Sequence, residues 1–84
     1  MTPKTIRLFI KPSCPWCVDA EDWLQARGWE YDSLDVTNDR SARLEMRELT
    51  GQTLAPSAEI DGHVIPDFDT GQLEHFLKQH GYEV

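Results

Sequence analysis

Ile6-Arg7-Leu8-Phe9-Ile10-Lys11-Pro12-Ser13-Cys14-Pro15-Trp16-Cys17 joins a short apolar run to two cysteines three positions apart. The run reads as a buried strand over Thr5 to Ile10, and the stretch after it reads as a helix. A C-x-x-C placed where a strand gives way to a helix reads as a thiol–disulfide redox site. Pro15 suits the first helical position, where a missing N–H costs nothing. Cys14 then falls at the N-cap, its sulfur over unpaired backbone N–H groups and the positive end of the helix dipole. Both favour the thiolate, the nucleophile of disulfide exchange. Cys17, one turn on, lies on the same face at about 5–6 Å, within reach of a mixed disulfide. These are the only two cysteines, so no four-thiolate site or second disulfide can form within the chain.

Eighty-four residues point to a single domain over 1–84 with one modest core, whose folding stability would be roughly 3–5 kcal/mol. No stretch approaches the ~20 apolar residues of a membrane span. Met1-Thr2-Pro3-Lys4-Thr5 leads straight into the first strand, so no signal peptide is expected, and a cytoplasmic setting is. There a close cysteine pair means catalysis rather than a structural staple. Fifteen Asp/Glu against eight Lys/Arg give a net charge of −7, which argues against a nucleic-acid partner. The acids are spread along the chain with no tail-like block.

The remaining elements follow from periodicity and punctuation. The first helix runs from Pro15 to about Arg27, with Gly28 as its left-handed stop. Trp29 to Val36 alternates in part and is read as a second strand. Thr37 or Asn38 is expected to cap a second helix that ends at Thr50 before Gly51, with Ala42, Met46 and Leu49 as its apolar stripe and Leu44 off it. Ser57 to Ile60 and His63 to Pro66 flank Asp61-Gly62, a strong hairpin signal. Asp69-Thr70-Gly71-Gln72 has the form of a capping box, opening a third helix with Leu73, Phe76 and Leu77 inward. The order is βαβα–ββ–α, an α/β fold in which a βαβ unit supplies a parallel pair and the hairpin an antiparallel one. His63, His75 and His80 form no spaced metal set with the cysteines, and no Ser–His–Asp arrangement or phosphate loop is visible.

Lys11-Pro12-Ser13-Cys14-Pro15-Trp16-Cys17, Thr50-Gly51-Gln52, Pro56 and Ile60-Asp61-Gly62-His63 together resemble the glutaredoxins, small thiol oxidoreductases of thioredoxin-like fold. The resemblance extends over nearly the whole chain. It implies a four-stranded mixed sheet with the first and third helices on one face and the second on the other. It implies Cys14 as the attacking thiol, Cys17 as the resolving thiol, and Pro56 as a cis proline beside Cys14. A cis X–Pro bond has a fixed, donor-free shape, and it would leave the Ala55 backbone free to pair with a bound peptide or glutathione. The family's use of the matching lysine implies that Lys11 holds a glutathione carboxylate. Trp16 would be a lid over the substrate, and Asp69 would hold the ligand's amino group besides capping the third helix. The plainer readings are a solvated strand-end lysine, a packed aromatic and a cap alone.

Three departures from the family pattern stand out. Leu54-Ala55 replaces the usual Thr-Val before the proline. Pro66-Asp67 stands where a glycine pair is usual, or Asp67 alone replaces the glycine of a G-F-D pattern found in glutaredoxin-like proteins served by thioredoxin reductase. Glu59 occupies a strand position that is apolar in the family, so it is expected to be partly exposed or paired. The expected activity is dithiol–disulfide exchange on disulfide-containing proteins or small disulfides by a monomer. It needs no bound cofactor, and glutathione is the co-substrate, with thioredoxin reductase as the alternative donor. Two rivals of other classes are an iron–sulfur cluster-binding dimer, which the proline after Cys14 disfavours in the family, and a docking module that has lost the chemistry.

Overall fold

The computed structural model describes residues 1–84. Its elements are β1 (Ile6–Ile10), α1 (Pro15–Ala26), β2 (Asp32–Asp35), α2 (Arg40–Thr50), β3 (Ser57–Ile60), β4 (His63–Ile65) and α3 (Thr70–Gln79). The sheet order is β2-β1-β3-β4. β1 runs parallel to β2 and antiparallel to β3, and β3 pairs antiparallel with β4. This is the mixed four-stranded sheet with three helices that the resemblance implied.

β1 sorts its side chains by the period of two. Ile6 and Leu8 join Ala20 and Leu24 of α1, Leu73 and Leu77 of α3, and Ala58 and Ile60 of β3 in the larger core. Phe9 turns the other way and meets Val36, with Ala42 and Met46 of α2. Hence α1 and α3 cover one face of the sheet and α2 covers the other. Arg7 also faces α2, and it stands opposite Glu59 in the β1–β3 register. Its guanidinium pairs with Glu45 of α2 through two 2.5 Å contacts and with Glu59 at 3.4 Å. The hydrogen bonds that Arg7 donates to Glu45 lower the pKa of Glu45 and raise that of Arg7. The carboxylate that looked out of place in β3 is therefore half-buried and paired.

The second strand is shorter than its alternation suggests. Gly28 takes the left-handed conformation at φ 70°, and the Trp29 N–H returns to Leu24 O at 3.3 Å. That C-terminal turn sends Trp29 and Tyr31 onto the larger core, so only Asp32–Asp35 reach the β1 ladder. Trp29 and Trp23 meet edge to face at 5.7 Å. The start of α2 also differs: Asp39 is the N-cap, accepting from the Ala42 N–H at 3.2 Å. Thr37 and Asn38 instead donate their N–H groups to the Asp35 carboxylate at 2.9 and 3.2 Å. This Asx-type turn competes with helix geometry and delays its onset.

Asp61 and Gly62 close the hairpin at φ 50° and 86°, the left-handed pair that a tight hairpin turn requires. The Asp61 carboxylate also accepts the Lys4 and Thr5 backbone N–H groups at 3.0 and 2.8 Å and the Tyr82 hydroxyl at 2.7 Å. These donors, Tyr82 foremost, hold its pKa down at about 2 against an ordinary 3.8. A depressed carboxylate contributes stability that is fully present above the unfolded value and lost as pH falls through the folded one. Urea midpoints should therefore fall between about pH 4 and about pH 2, and Asp61→Asn should flatten that part of the profile. An unchanged slope in the variant would assign the acid sensitivity to other carboxylates.

Candidate active site

Cys14 and Cys17 form a disulfide, with Cα atoms 5.1 Å apart. Cys14 is the N-cap of α1, with Pro15 at its first position, and its Sγ accepts the Cys17 N–H at 3.1 Å. Ser13, at φ 60°, makes the bend that delivers Cys14 to the helix start. Cys17 is buried, whereas Cys14 is half-buried. The pair is thus asymmetric. The sulfur that accepts the backbone N–H belongs to the more exposed cysteine of the two.

A second segment comes up to the same sulfur. Cys14 Sγ lies 3.9 Å from Ala55 O, and the Ala55–Pro56 bond is cis. The Pro56 carbonyl accepts the Phe68 N–H at 3.0 Å, while the Ala55 N–H makes no hydrogen bond within the chain. A free donor beside a reactive sulfur can pair with an extended ligand backbone.

Ser57 holds this loop. Its fully buried hydroxyl donates to Leu54 O at 2.8 Å and accepts from Gln52 Nε2 at 3.2 Å and from the Asp67 N–H at 3.0 Å. Gln52 in turn takes the Leu54 N–H on Oε1. One hydroxyl so ties the Pro56 loop to the turn before α3. Ser57→Ala should cost about 1–3 kcal/mol, because it strips buried donors of their acceptor. Urea denaturation would measure this, and a loss under about 0.5 kcal/mol, as at an ordinary surface site, would contradict the role.

Trp16, which is 60% exposed, forms one wall of a groove of about 480 Å³. Ala55, Pro56, Asp67 and Asp69 also line it. Asp69 caps α3 through a complete capping box, accepting the Gln72 N–H on Oδ1 at 2.8 Å. Its Oδ2 takes no hydrogen bond in the chain. Asp67 stands at φ 42°, the left-handed region that a glycine adopts freely. The turn keeps a glycine-like backbone and adds a carboxylate.

Of the residues expected to surround the cysteines, Trp16, Ala55, Pro56 and Asp69 line this groove. Lys11 does not. It lines a smaller cavity of about 220 Å³ with Thr37, Arg43 and Thr53, which adjoins the groove along the chain at Thr53-Leu54. Arg43 escaped the sequence reading. The available signal was its place among Arg40, Arg43 and Arg47, off the apolar stripe of α2. Neither cysteine lines any of the cavities; the groove adjoins the pair through Trp16 and Ala55, whereas the largest cavity, about 560 Å³ between Lys4–Ile6 and Trp29–Asp32, has no such neighbour. His63 and His80 meet at a tilt of 46° with ring centres 4.3 Å apart and line neither the groove nor the Lys11 cavity.

The glutaredoxin family model matches residues 6–65, from β1 through β4 and ending just before Pro66-Asp67. A glutaredoxin-like 8.6 kDa protein of the rubredoxin operon of Clostridium pasteurianum is 28% identical over 74 residues, covering 88% of this chain and 99% of its own. Glutaredoxin 3 of Escherichia coli strain K12 is 28% identical over 64 residues, 76% of this chain and 77% of that protein. Among solved structures, the thioredoxin-like protein BC3987 superposes with a TM-score of 0.77 at 29% identity, covering 86% of this chain and 99% of its own. The glutaredoxin grx-1 of Archaeoglobus fulgidus, with a TM-score of 0.74 at 10% identity over 87% and 85% of the two chains, is alike in fold alone. No helix here is long and apolar enough to cross a membrane.

Proposed function

Because the chain belongs to the glutaredoxin family, we propose that it reduces disulfides by dithiol exchange with glutathione as its electron donor. Its family and its Cys14–Cys17 pair make it a thiol–disulfide oxidoreductase. The donor, the substrate and the roles of the groove residues are the proposed part.

In the reduced enzyme the Cys14 thiolate attacks one sulfur of the substrate disulfide. That S–S bond breaks, a Cys14–substrate disulfide forms, and the leaving thiolate takes up a proton. Cys17 then loses its proton and attacks Cys14 Sγ. The second substrate thiol departs and the Cys14–Cys17 disulfide closes, two electrons having passed to the substrate. Two glutathione molecules return the pair to dithiol and leave as glutathione disulfide. Thiols carry both electrons, so the cycle calls for no resident metal or organic cofactor. The protein acts as a monomer in a reducing compartment such as the cytoplasm, on small disulfides or disulfide-bearing proteins.

One observation favours glutathione: the opposite charges that line the groove and its neighbouring cavity. Asp67 and Asp69 line the groove together with Ala55, whose N–H is free, and Lys11 and Arg43 line the cavity that follows it along the chain at Thr53-Leu54. Glutathione carries an ammonium at its γ-glutamyl end, a peptide backbone at its cysteine, and a carboxylate at its glycyl end. Asp69 would take the ammonium, Ala55 would pair with the cysteinyl backbone beside Cys14, and Lys11 with Arg43 would take the glycyl carboxylate. Trp16 would cover the thiol as it reacts. Arg43→Glu should raise the KM for glutathione about tenfold and leave kcat within about twofold, since the contact is equal in ground and transition states. An unchanged KM would remove Arg43 from the site.

A further inference from the structure

The two sides of α2 differ in kind. Ala42 and Met46 are buried against the sheet with Leu49 packed beside them, and Glu45 is held by Arg7. Arg40, Arg43, Leu44 and Arg47 recur at i, i+3, i+4 and i+7 and so share another face. With Thr37 and Asn38 they line a cavity of about 480 Å³. It shares Val36, Thr37 and Arg43 with the cavity that holds Lys11.

Neither cavity is lined by a carboxylate, and Lys11, Arg40, Arg43 and Arg47 form no ion pair in the chain. Of the acids next to this face in sequence, Asp35 is held by Thr37 and Asn38 and Asp39 by the Ala42 N–H, whereas Glu48, one turn on from Leu44, is exposed and unpaired, so that three arginines stand against one free carboxylate along this side of the helix. Half of the eight Lys/Arg residues therefore stand together in a chain of net charge −7. In their midst Leu44 is 51% exposed. An apolar side chain set among unpaired arginines is an interface composition, and arginine is the cation enriched at protein interfaces.

We infer that the outer face of α2, continued by Lys11 toward Cys14, docks an acidic, leucine-compatible segment of the proteins whose disulfides this enzyme reduces. The inference rests on the oxidoreductase reading above and names the class of its protein substrates. The acidic remainder of the surface repels such a partner, and this face attracts it. An approaching acidic protein is thereby turned so that its docking segment meets α2 and its disulfide meets Cys14. A nucleic acid would carry its continuous negative charge over the acidic remainder as well, which disfavours it.

The test uses two peptides, one rich in glutamate and one rich in lysine. Each has a leucine and a single cysteine disulfide-bonded to neutral thiopyridine. Hydroxyethyl disulfide serves as the small uncharged substrate. At low salt the wild-type protein should reduce the glutamate peptide with a kcat/KM about tenfold above that of the lysine peptide, and high salt should erase the difference. The Arg40→Glu/Arg47→Glu protein should lose that preference while reducing hydroxyethyl disulfide within about twofold of wild type. The Arg40→Gln/Arg47→Gln pair gives the same reading with no charge reversal, should the first variant not fold. Equal rates for the two peptides, or a preference that survives both variants, would overturn the docking surface while leaving the enzyme intact. So would stronger inhibition by a single-stranded oligonucleotide than by a disulfide-free glutamate peptide. No turnover of hydroxyethyl disulfide by the wild type would overturn the oxidoreductase reading itself.

Discussion

Cys14→Ser will abolish disulfide reduction, lowering turnover by about 10³-fold or more, as expected when a covalent nucleophile is lost. Serine keeps the N-cap, because its oxygen can accept the Cys17 N–H that now reaches Cys14 Sγ at 3.1 Å. Fold and groove should survive, so the loss reports chemistry alone. Cys17→Ser should behave differently. Cys17 is buried, and in the proposed cycle it acts only in the second step. Its removal should trap a Cys14–substrate disulfide visible by non-reducing electrophoresis, or leave the slower route in which an external thiol resolves it. The same residual activity in both variants would contradict the division of roles between attacking and resolving thiol.

Phe9→Ala should cost about 3–5 kcal/mol, as much as a domain of this size is expected to possess. Phe9 is fully buried and anchors the smaller core of Phe9, Val36, Ala42 and Met46. That cluster is what seats α2 on the sheet. A cavity there cannot be filled from the larger core, which lies on the opposite face. The expected result is a protein largely unfolded at 37 °C, or one whose α2 amides exchange far faster than those of α1. Since α2 carries Arg43, the proposed use of glutathione should fail before the cysteine pair does. A urea midpoint within about 0.5 kcal/mol of wild type would show that α2 is held by something else.

The element order and the cysteine placement were legible because each rests on local chemistry. Pro15 at a helix start, Asp69 with Gln72 as a capping box, and Asp61-Gly62 as a hairpin turn are decided within a few residues. The errors arose where local signals compete. Trp29 and Tyr31 alternate like a strand, yet the left-handed turn at Gly28 turns them onto the core. Thr37, Asn38 and Asp39 are all competent caps, and the Asp35 side chain, by holding the first two, decides in favour of the third.

What the sequence could not disclose depends on contacts between distant segments. Glu59 is half-buried and paired as expected, but that its partner is Arg7 follows only from the β1–β3 register. Ser57 gives no outward sign that its hydroxyl joins Leu54, Gln52 and Asp67. Lys11 and Arg43 are 32 positions apart, and only the β1–α2 packing brings them to one cavity. The departures at Pro66-Asp67 likewise changed meaning with the backbone: at φ 42°, Asp67 preserves the turn and adds a charge to the groove.

The most direct measurement is reduction of the oxidised protein by glutathione, side by side with thioredoxin reductase and NADPH. Trp16, adjacent to Cys17 and exposed, supplies a fluorescence signal that should change as the neighbouring disulfide opens. Reduction by glutathione, slowed in Arg43→Glu, is the result expected here. Reduction by the reductase alone would contradict glutathione as the donor and take Lys11, Arg43 and Asp69 out of the proposed site.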